Sequence, residues 1–583
     1  METNQTDTPA SRTWRIPQSQ KLLDLIKSFS ITEKVLFAFI VTVFAFSGIA
    51  LLYQANKAFL VEVPDYGGSL TEGVVGSPRF INPLLAISDA DRDLTSLVYS
   101  GLLKATADGG LQPDIAESYS ISEDSLTYTF ILKENVTFHD GNKVTTDDVE
   151  FTIQKAQDTL LKSPRRSSWD GVKVQVIDER TISFTLRQAY SPFIQNTTLG
   201  ILPKHIWKNV DNESFPFSTF NNKPIGTGPY TVETVATNDS GLPVEYTLNA
   251  FKKYALGRPF INTLTLKFYT NEKALLEAFQ NKDIESINSI SPANVGLLRT
   301  ANTTLLTPPL PRVFGVFFNQ NEAPVFVNKE VRVALDMVLD KNQMIGEVLY
   351  GYGQAIDGPL HTDKAEALAS TPEEQIVAAR AILEKAGWTF NESGVYQKKT
   401  GKDTELLSFS ISTSDAPELK TLALSIQKRW QQLGALVDVK IFEVGDLNQN
   451  IIRPRKYDSL LFGEVLGRDL DLYPFWHSSQ RSDPGLNIAL YTNSKIDKIL
   501  EDYRKTTNEK TKRTYLENFE KEIRADTPAV FLYAPQFIYI IPSTIKNVTL
   551  GQPTISGERF LGIHEWFINT NQIWKIFEKT NNN

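Results

Sequence analysis

From Val35 to Tyr53 the chain reads VLFAFIVTVFAFSGIALLY, nineteen residues without a charge. At about 1.5 Å per residue such a helix spans roughly 28 Å, close to the hydrocarbon thickness of a bilayer. No second run of that kind occurs, which excludes a polytopic transporter and leaves the rest of the chain to fold in water. Arg12, Arg15, Lys21, Lys27 and Lys34 precede the run, whereas only Lys57 follows closely before Glu62 and Asp65. The positive-inside rule therefore places residues 1–34 in the cytoplasm, 35–53 in the membrane and the large C-terminal body outside. A cleaved signal peptide is the rival reading, with small residues at Gly48-Ile49-Ala50. Against it, the apolar run is long for a signal and continues through Leu51, Leu52 and Tyr53. Leu22, Ile26 and Phe29, with Lys21 and Lys27 beside them, suit a short interfacial helix; an unstructured leader is the alternative.

The 583 residues are several domains' worth of chain, so more than one core is expected. Hydrophobic residues at 41% and charged residues at 22% exclude a disordered or collagen-like body. Sixty basic against 68 acidic residues give a net charge of −8, so no general basic field exists to hold nucleic acid. The absence of cysteine removes disulfides, thiolate nucleophiles, zinc ribbons, iron–sulfur clusters and the acylated cysteine of a bacterial lipoprotein. With five scattered histidines, no metal or other cofactor is expected.

After a linker at 54–67 the pattern mixes strands and helices. Leu126–Leu132 is rich in β-formers, and Val172–Leu186 reads as a hairpin turning at Asp178-Glu179-Arg180. Leu264–Tyr269 is followed by Asn271 as a helix N-cap, then Ala274, Leu275 and Phe279, a Lys282-Asp283 turn and a strand near Ile284: one βαβ unit. Further on, Val331, Ala334, Leu335, Val338 and Leu339 fall at helical spacing. Thr371-Pro372-Glu373-Glu374 is a capping box whose helix Gly387 ends. Leu406–Ile411, a helix from Pro417 to Leu433 stopped by Gly434, and Leu436–Phe442 form a second strand–helix–strand unit. Helices around Ile496–Arg504 and Lys510–Arg524 lead into a strand at Ala529–Tyr533. Two blocks of such units predict an α/β protein with two lobes and a cleft between them.

Catalytic motifs are missing: there is no GxSxG elbow, Walker loop, kinase signature or HExxH. Asp89, Asp91 and Asp93 imitate a calcium loop, but Leu94 replaces its glycine and Ser100 its bidentate glutamate, so an acidic helix start is the better reading. Phe138-His139-Asp140-Gly141 reads as a turn, with a general-base histidine as the alternative. Gly226-Thr227-Gly228-Pro229-Tyr230 reads as a tight turn into a strand rather than a phosphate cradle. The segment 463–476 sets Glu464, Asp469 and Asp471 close to Tyr473, Phe475 and Trp476. Acids beside flat aromatics suit a ligand with a cationic end, whereas a turn or cap role would suit either aspartate taken alone.

In this order, several phrases resemble the extracytoplasmic solute-binding proteins of peptide and nickel ABC importers (family 5, the dipeptide- and oligopeptide-binding type). They are Phe80-Ile-Asn-Pro-Leu84, Val98-Tyr-Ser-Gly-Leu102, Pro113-Asp-Ile-Ala-Glu-Ser118, Thr127 to Gly141, Thr146-Asp-Asp-Val-Glu-Phe-Thr152 and Gly226 to Tyr230. Val331-Arg-Val-Ala-Leu-Asp336 with Asp340, Ser494 to Leu500 and Asp526-Thr-Pro-Ala-Val530 continue the series, so the likeness covers about 68–570. The resemblance implies a two-lobed, Venus-flytrap fold of the periplasmic-binding-protein kind. Lobe I would comprise 68–310, including an inserted subdomain at about 101–200, lobe II 311–524, and 525–577 would return to complete lobe I before a tail at 578–583.

It further implies a non-enzymatic receptor on the periplasmic or cell-surface side that binds oligopeptides between its lobes and delivers them to an ABC permease with its ATPase subunits. A nickel chelate, an opine or an oligosaccharide, or a ligand-sensing role, are the alternatives. A monomer held to the membrane by 35–53 is expected, with no nucleic acid partner. In peptide-binding members an acidic residue of the second lobe meets the peptide's amino terminus. Here that role falls to Asp469 or Asp471, with Glu464 standing where the family usually has tryptophan, and with Tyr473 and Trp476 as neighbouring ligand contacts.

Overall fold

A computed structural model of the chain describes residues 26–362, 364–365 and 371–577. These divide into two units, one holding residues up to Asp65 together with Thr570 onward, the other Tyr66–Asn569. In the first, Ile31–Phe59 is one helix, long and apolar enough to cross a membrane and with no buried residue. It starts earlier than the apolar run because Ser30 and Glu33 form a reciprocal capping box. The stretch expected as a linker from 54 instead continues this helix to Phe59 and then forms the strand Leu60–Asp65, paired with Asn569–Trp574. Of the expected interfacial helix, Lys21 and Leu22 lie outside the described residues.

The larger unit is built on two mixed sheets. The first has seven strands in the order Thr303–Leu306, Tyr539–Pro542, Ser286–Asn288, Ser69–Val75, Thr263–Tyr269, Pro243–Ala250, Tyr230–Thr237. The expected βαβ unit is present: Asn271 Oδ1 accepts from Ala274 N–H at 3.0 Å and starts the helix Glu272–Gln280. Its two strands, however, are separated by Ser69–Val75, to which both are parallel. Gly73 makes that arrangement possible, because a Cβ there would collide with Leu275 and Ile284 of the crossover.

The second sheet runs Gly353–Ala355, Ala529–Pro535, Arg312–Phe318, Ser459–Val465, Ser408–Ser414, Leu436–Phe442. Its last two strands are parallel and joined by the helix Pro417–Leu433, which ends at Gly434 in the left-handed region (φ 115°). Leu406 closes a separate three-stranded hairpin sheet, and the long strand begins two residues later at Ser408. An antiparallel sheet of Ala116–Ile121, Thr127–Leu132, Thr181–Thr185 and Lys173–Val176, packed with the helix Thr146–Gln157, forms the subdomain on the first lobe.

The main core of the first lobe draws on residues between Leu70 and Phe268 and again between Phe537 and Trp566. The return is fixed by a buried charge cluster. Arg559 donates to Glu72 Oε1 (Nε, 2.7 Å) and to both oxygens of Asp93 (2.9 and 2.7 Å), while Tyr539, Ser286 and Asn288 also donate to Glu72. All three ionic side chains are fully buried, so each charge survives there only through its partners.

The family-like phrases pack on one another. The helix Asp89–Val98 is capped by Ser88 with Asp91 in a capping box, as an acidic helix start should be. His139 sits in a turn closed by Gly141 (φ 91°). Its Nδ1 accepts from Gly226 N–H at 3.3 Å and its Nε2 donates to the Gly228 carbonyl at 3.0 Å, which requires the neutral ring protonated on Nε2. Burial agrees, lowering its pKa to about 4. In the second lobe Arg332 donates to the carbonyls of Asp526 and Thr527 at 2.7 and 2.9 Å, tying its helix to the end of Glu509–Asp526.

Candidate functional site

The lobes meet around 464–476, between the end of Ser459–Val465 and the short helix Tyr473–Trp476. Arg468 of the second lobe reaches Glu558 of the first at 2.7 Å and donates to the Thr106 carbonyl at 3.4 Å. Tyr190 OH donates to Asp471 Oδ2 at 3.3 Å, and His361 Nε2 lies 3.0 Å from Gln552 Oε1. These contacts close the cleft over a cavity of about 690 Å³. Tyr119, Ser191 and Gln195 line it from the first lobe, and Asp469, Tyr503 and Lys512 from the second. A second cavity of about 340 Å³ lies in the first lobe, bordered by Arg92, Arg165, Lys104 and Glu558. Gln195 lines both.

The five side chains singled out from the sequence occupy different environments. Asp471 is held by Arg504, whose Nε and Nη2 donate to its two oxygens at 2.9 and 2.6 Å. Tyr473 lies under the Arg504 guanidinium (3.8 Å to the ring centre) and stacks on His477 at 4.0 Å. Asp469 lines the large cavity and makes no ion pair among the described residues. Burial, reinforced by the neighbouring Asp471 charge, raises its pKa to about 6. Glu464 is buried with no hydrogen-bond partner on either oxygen among the described residues, and burial pushes its carboxyl well above the usual range. Trp476 is fully buried as a core side chain, packed among Phe317, Tyr491, Phe519 and Phe531.

The structure thus brings Asp469, Asp471 and Tyr473 to the lobe junction and sets Glu464 and Trp476 in the interior. Sequence reasoning missed Arg504, Tyr190, Arg468, Arg92 and Arg165. A local signal existed only for Arg165, which lies in Lys162-Ser-Pro-Arg-Arg-Ser-Ser168, a basic stretch without an acid. Arg504, Tyr190 and Arg468 act on partners far away in the chain, whereas Arg92 pairs with Asp89, three residues before it.

The geometry leaves a chamber between two lobes; of the two acids on its wall, Glu509 lies 3.3 Å from Lys512 and Asp469 makes no ion pair among the described residues. Comparison with known proteins agrees with that architecture. The oligopeptide-binding protein AppA of Bacillus subtilis is 28% identical over 496 residues, covering 83% of this chain and 89% of that protein. Its structure in complex with a nonapeptide superposes with a TM-score of 0.63 at 26% identity, covering 87% of this chain and 100% of the other. The ABC transporter substrate-binding protein CtaP of Listeria monocytogenes gives a TM-score of 0.71 at 27% identity, with 86% and 99% covered. NikZ of Campylobacter jejuni, solved with Ni(L-His), gives 0.64 at 25% identity, with 86% and 99% covered. The profile for the middle region of bacterial extracellular solute-binding proteins, family 5, matches residues 110–491. On a match spanning most of its length, the chain belongs to the family 5 bacterial extracellular solute-binding proteins.

Proposed function

We propose that this protein is a membrane-anchored extracytoplasmic receptor that binds oligopeptides between its lobes and delivers them to an ABC importer. The observation that carries the reading is the interlobe cavity of about 690 Å³ with Asp469 uncommitted on its wall. Its volume falls in the range of about 300–1,000 Å³ usual for ligand sites. An unpaired carboxylate in a half-dry cavity favours a cation, and a peptide's amino terminus supplies one. A relative named as an oligopeptide-binding protein, with a structure holding a nonapeptide, supports the choice of peptide over other solutes. Asp471, already paired with Arg504, serves to shape this end of the cleft rather than to bind ligand charge.

The helix Ile31–Phe59 acts as the anchor and keeps the receptor at high effective concentration near its permease. The protein works as a monomer and performs no chemistry; the importer's ATPase subunits supply the work of transport. Native mass spectrometry of the full chain in detergent, followed by denaturation and identification of released molecules, tests the reading. A heterogeneous set of peptides supports it. A single sugar, opine or nickel-chelate mass overturns the substrate. Unchanged peptide uptake by cells lacking the protein would argue against delivery and favour sensing.

A further inference from the structure

The C-terminal strand returns to the end of the apolar helix. Leu60–Asp65, which follows Ile31–Phe59 without a break, pairs with Asn569–Trp574. The second of these strands runs back toward the helix. Asn569, its first residue, packs where a Cβ on Gly67 would stand, and Trp574, its last, donates its indole N–H to Asn56 Oδ1 at 2.9 Å. Asn56 lies three residues past Tyr53, where the charge-free run ends. That is about 4.5 Å along the helix axis. The polar layer on each side of the hydrocarbon is roughly 5–8 Å thick, so with 35–53 across the bilayer the indole of Trp574 stands at headgroup level.

Three apolar side chains stand in the open there: Phe59 at 59%, Trp574 at 48% and Ile576 at 76% exposure. Asn56 and Phe59 are three apart and share a helix face, which Leu52 and Tyr53 continue toward the charge-free run. Trp574 therefore sits at the upper edge of an apolar face that a bilayer covers. Beyond it the chain makes a short 3-10 turn, Lys575–Phe577. Lys57 and Lys575 are exposed beside these groups, and a lysine at that level reaches lipid phosphates while its stem lies on apolar surface. Tryptophan suits the same layer, with a flat apolar body and one N–H. We propose that Trp574 and Ile576 enter the lipid interface on the side of the large body, giving the chain a second, peripheral membrane contact beside its transmembrane helix. Lipid is the occupant because the exposed groups continue the lipid-facing surface of that helix. The segment Tyr66–Asn569 is then joined to the membrane at both of its ends. This inference rests on the reading of Ile31–Phe59 as an anchor and adds that the C-terminal strand is membrane-bound.

The chain has no cysteine, so a single introduced one carries a fluorescent label at one place. The full chain is reconstituted into vesicles of phosphatidylethanolamine and phosphatidylglycerol, labelled at Lys575→Cys, which leaves Trp574 and Ile576 in place. Gln572→Cys, on the same strand but farther from the helix, and Ala45→Cys, inside the charge-free run, are labelled in the same way. A nitroxide borne high on the lipid acyl chains should quench the label at Lys575→Cys several-fold more than that at Gln572→Cys, and iodide in the water should do the reverse. Equal quenching at these two positions overturns the interfacial contact, and leaves the anchor standing where Ala45→Cys is shielded from iodide. Free access of iodide to Ala45→Cys overturns both. Trp574 is read without a label: brominated acyl chains should quench tryptophan fluorescence more in the wild type than in Trp574→Phe. Equal quenching in the two overturns its part in the contact.

Discussion

Arg504 grips Asp471 through both oxygens, whereas Asp469, two residues earlier, faces the interlobe cavity and makes no ion pair among the described residues. The two aspartates therefore differ in role despite their proximity, and substitution should separate them. Asp469→Asn should weaken binding of peptides with a free amino terminus by roughly tenfold to a hundredfold while raising the melting temperature of the empty protein near neutral pH, because it removes a charge that burial disfavours. Asp471→Asn should instead cost about 1–2 kcal/mol of stability by stranding a partly exposed Arg504. Calorimetric titration and thermal melts on both variants decide the matter; equal losses of affinity in the two would contradict the assignment.

The pKa of about 6 at Asp469 gives binding a pH dependence. A ligand ammonium favours the ionised carboxylate, so affinity should fall as pH drops through 6. Stability of the empty protein moves the other way. The folded pKa lies above the ordinary value of 3.8, so the folded state takes up the proton first, and this group favours folding more as pH falls from about 6 toward 4. Both trends should vanish in Asp469→Asn, measured as the difference from wild type at each pH; a variant that retains them points to another group.

The buried cluster of Glu72, Arg559 and Asp93 should be intolerant of losing its cation. Arg559→Met leaves two carboxylates in a dry core, at a cost of about 3–5 kcal/mol near neutral pH. The variant should recover relative to wild type as the solution is acidified, because its folded carboxyls would bind protons before the unfolded ones do. Denaturant titrations at pH 7 and 5 measure the gap, and a constant gap would mean the charges are not the cause.

Arg468 and Glu558 join the lobes at 2.7 Å with both side chains largely buried. Glu558→Gln should loosen the closed form, giving a larger radius of gyration without ligand and faster ligand release. Small-angle scattering and stopped-flow dissociation report the two; an unchanged radius with unchanged release assigns closure to other contacts such as Tyr190 with Asp471.

Features legible in the sequence were those whose causes are local. Asn271 caps its helix, Thr371 and Glu374 exchange hydrogen bonds at 2.7 and 3.3 Å, and Gly434 turns the chain between helix and strand, all within a few residues. The segment 464–476 was found, but the division of labour inside it was not. Asp471 is neutralised by a side chain 33 residues later, and Tyr190, which joins it across the cleft, lies 281 residues away. Trp476 shows how an aromatic beside acids can be pure core, since its neighbours come from Phe317 and Phe531 on separate strands. Asp93 looked like helix-start charge, and nothing nearby in the chain announces Arg559, its partner 466 residues on. Long-range pairing leaves no periodicity to read.

That separation has a consequence for the order in which the protein can be made. Glu72 and Asp93 leave the ribosome hundreds of residues before Arg559 does, and the strand Tyr539–Pro542 that fills the gap beside Ser286–Asn288 is equally late. Until then the first lobe lacks the cation for Glu72 on its unfinished sheet and for Asp93 on the helix Asp89–Val98, whereas the second lobe, whose sheet closes with Ala529–Pro535, can be completed first. The lobe whose chain is synthesised first is thus the lobe whose core is completed last.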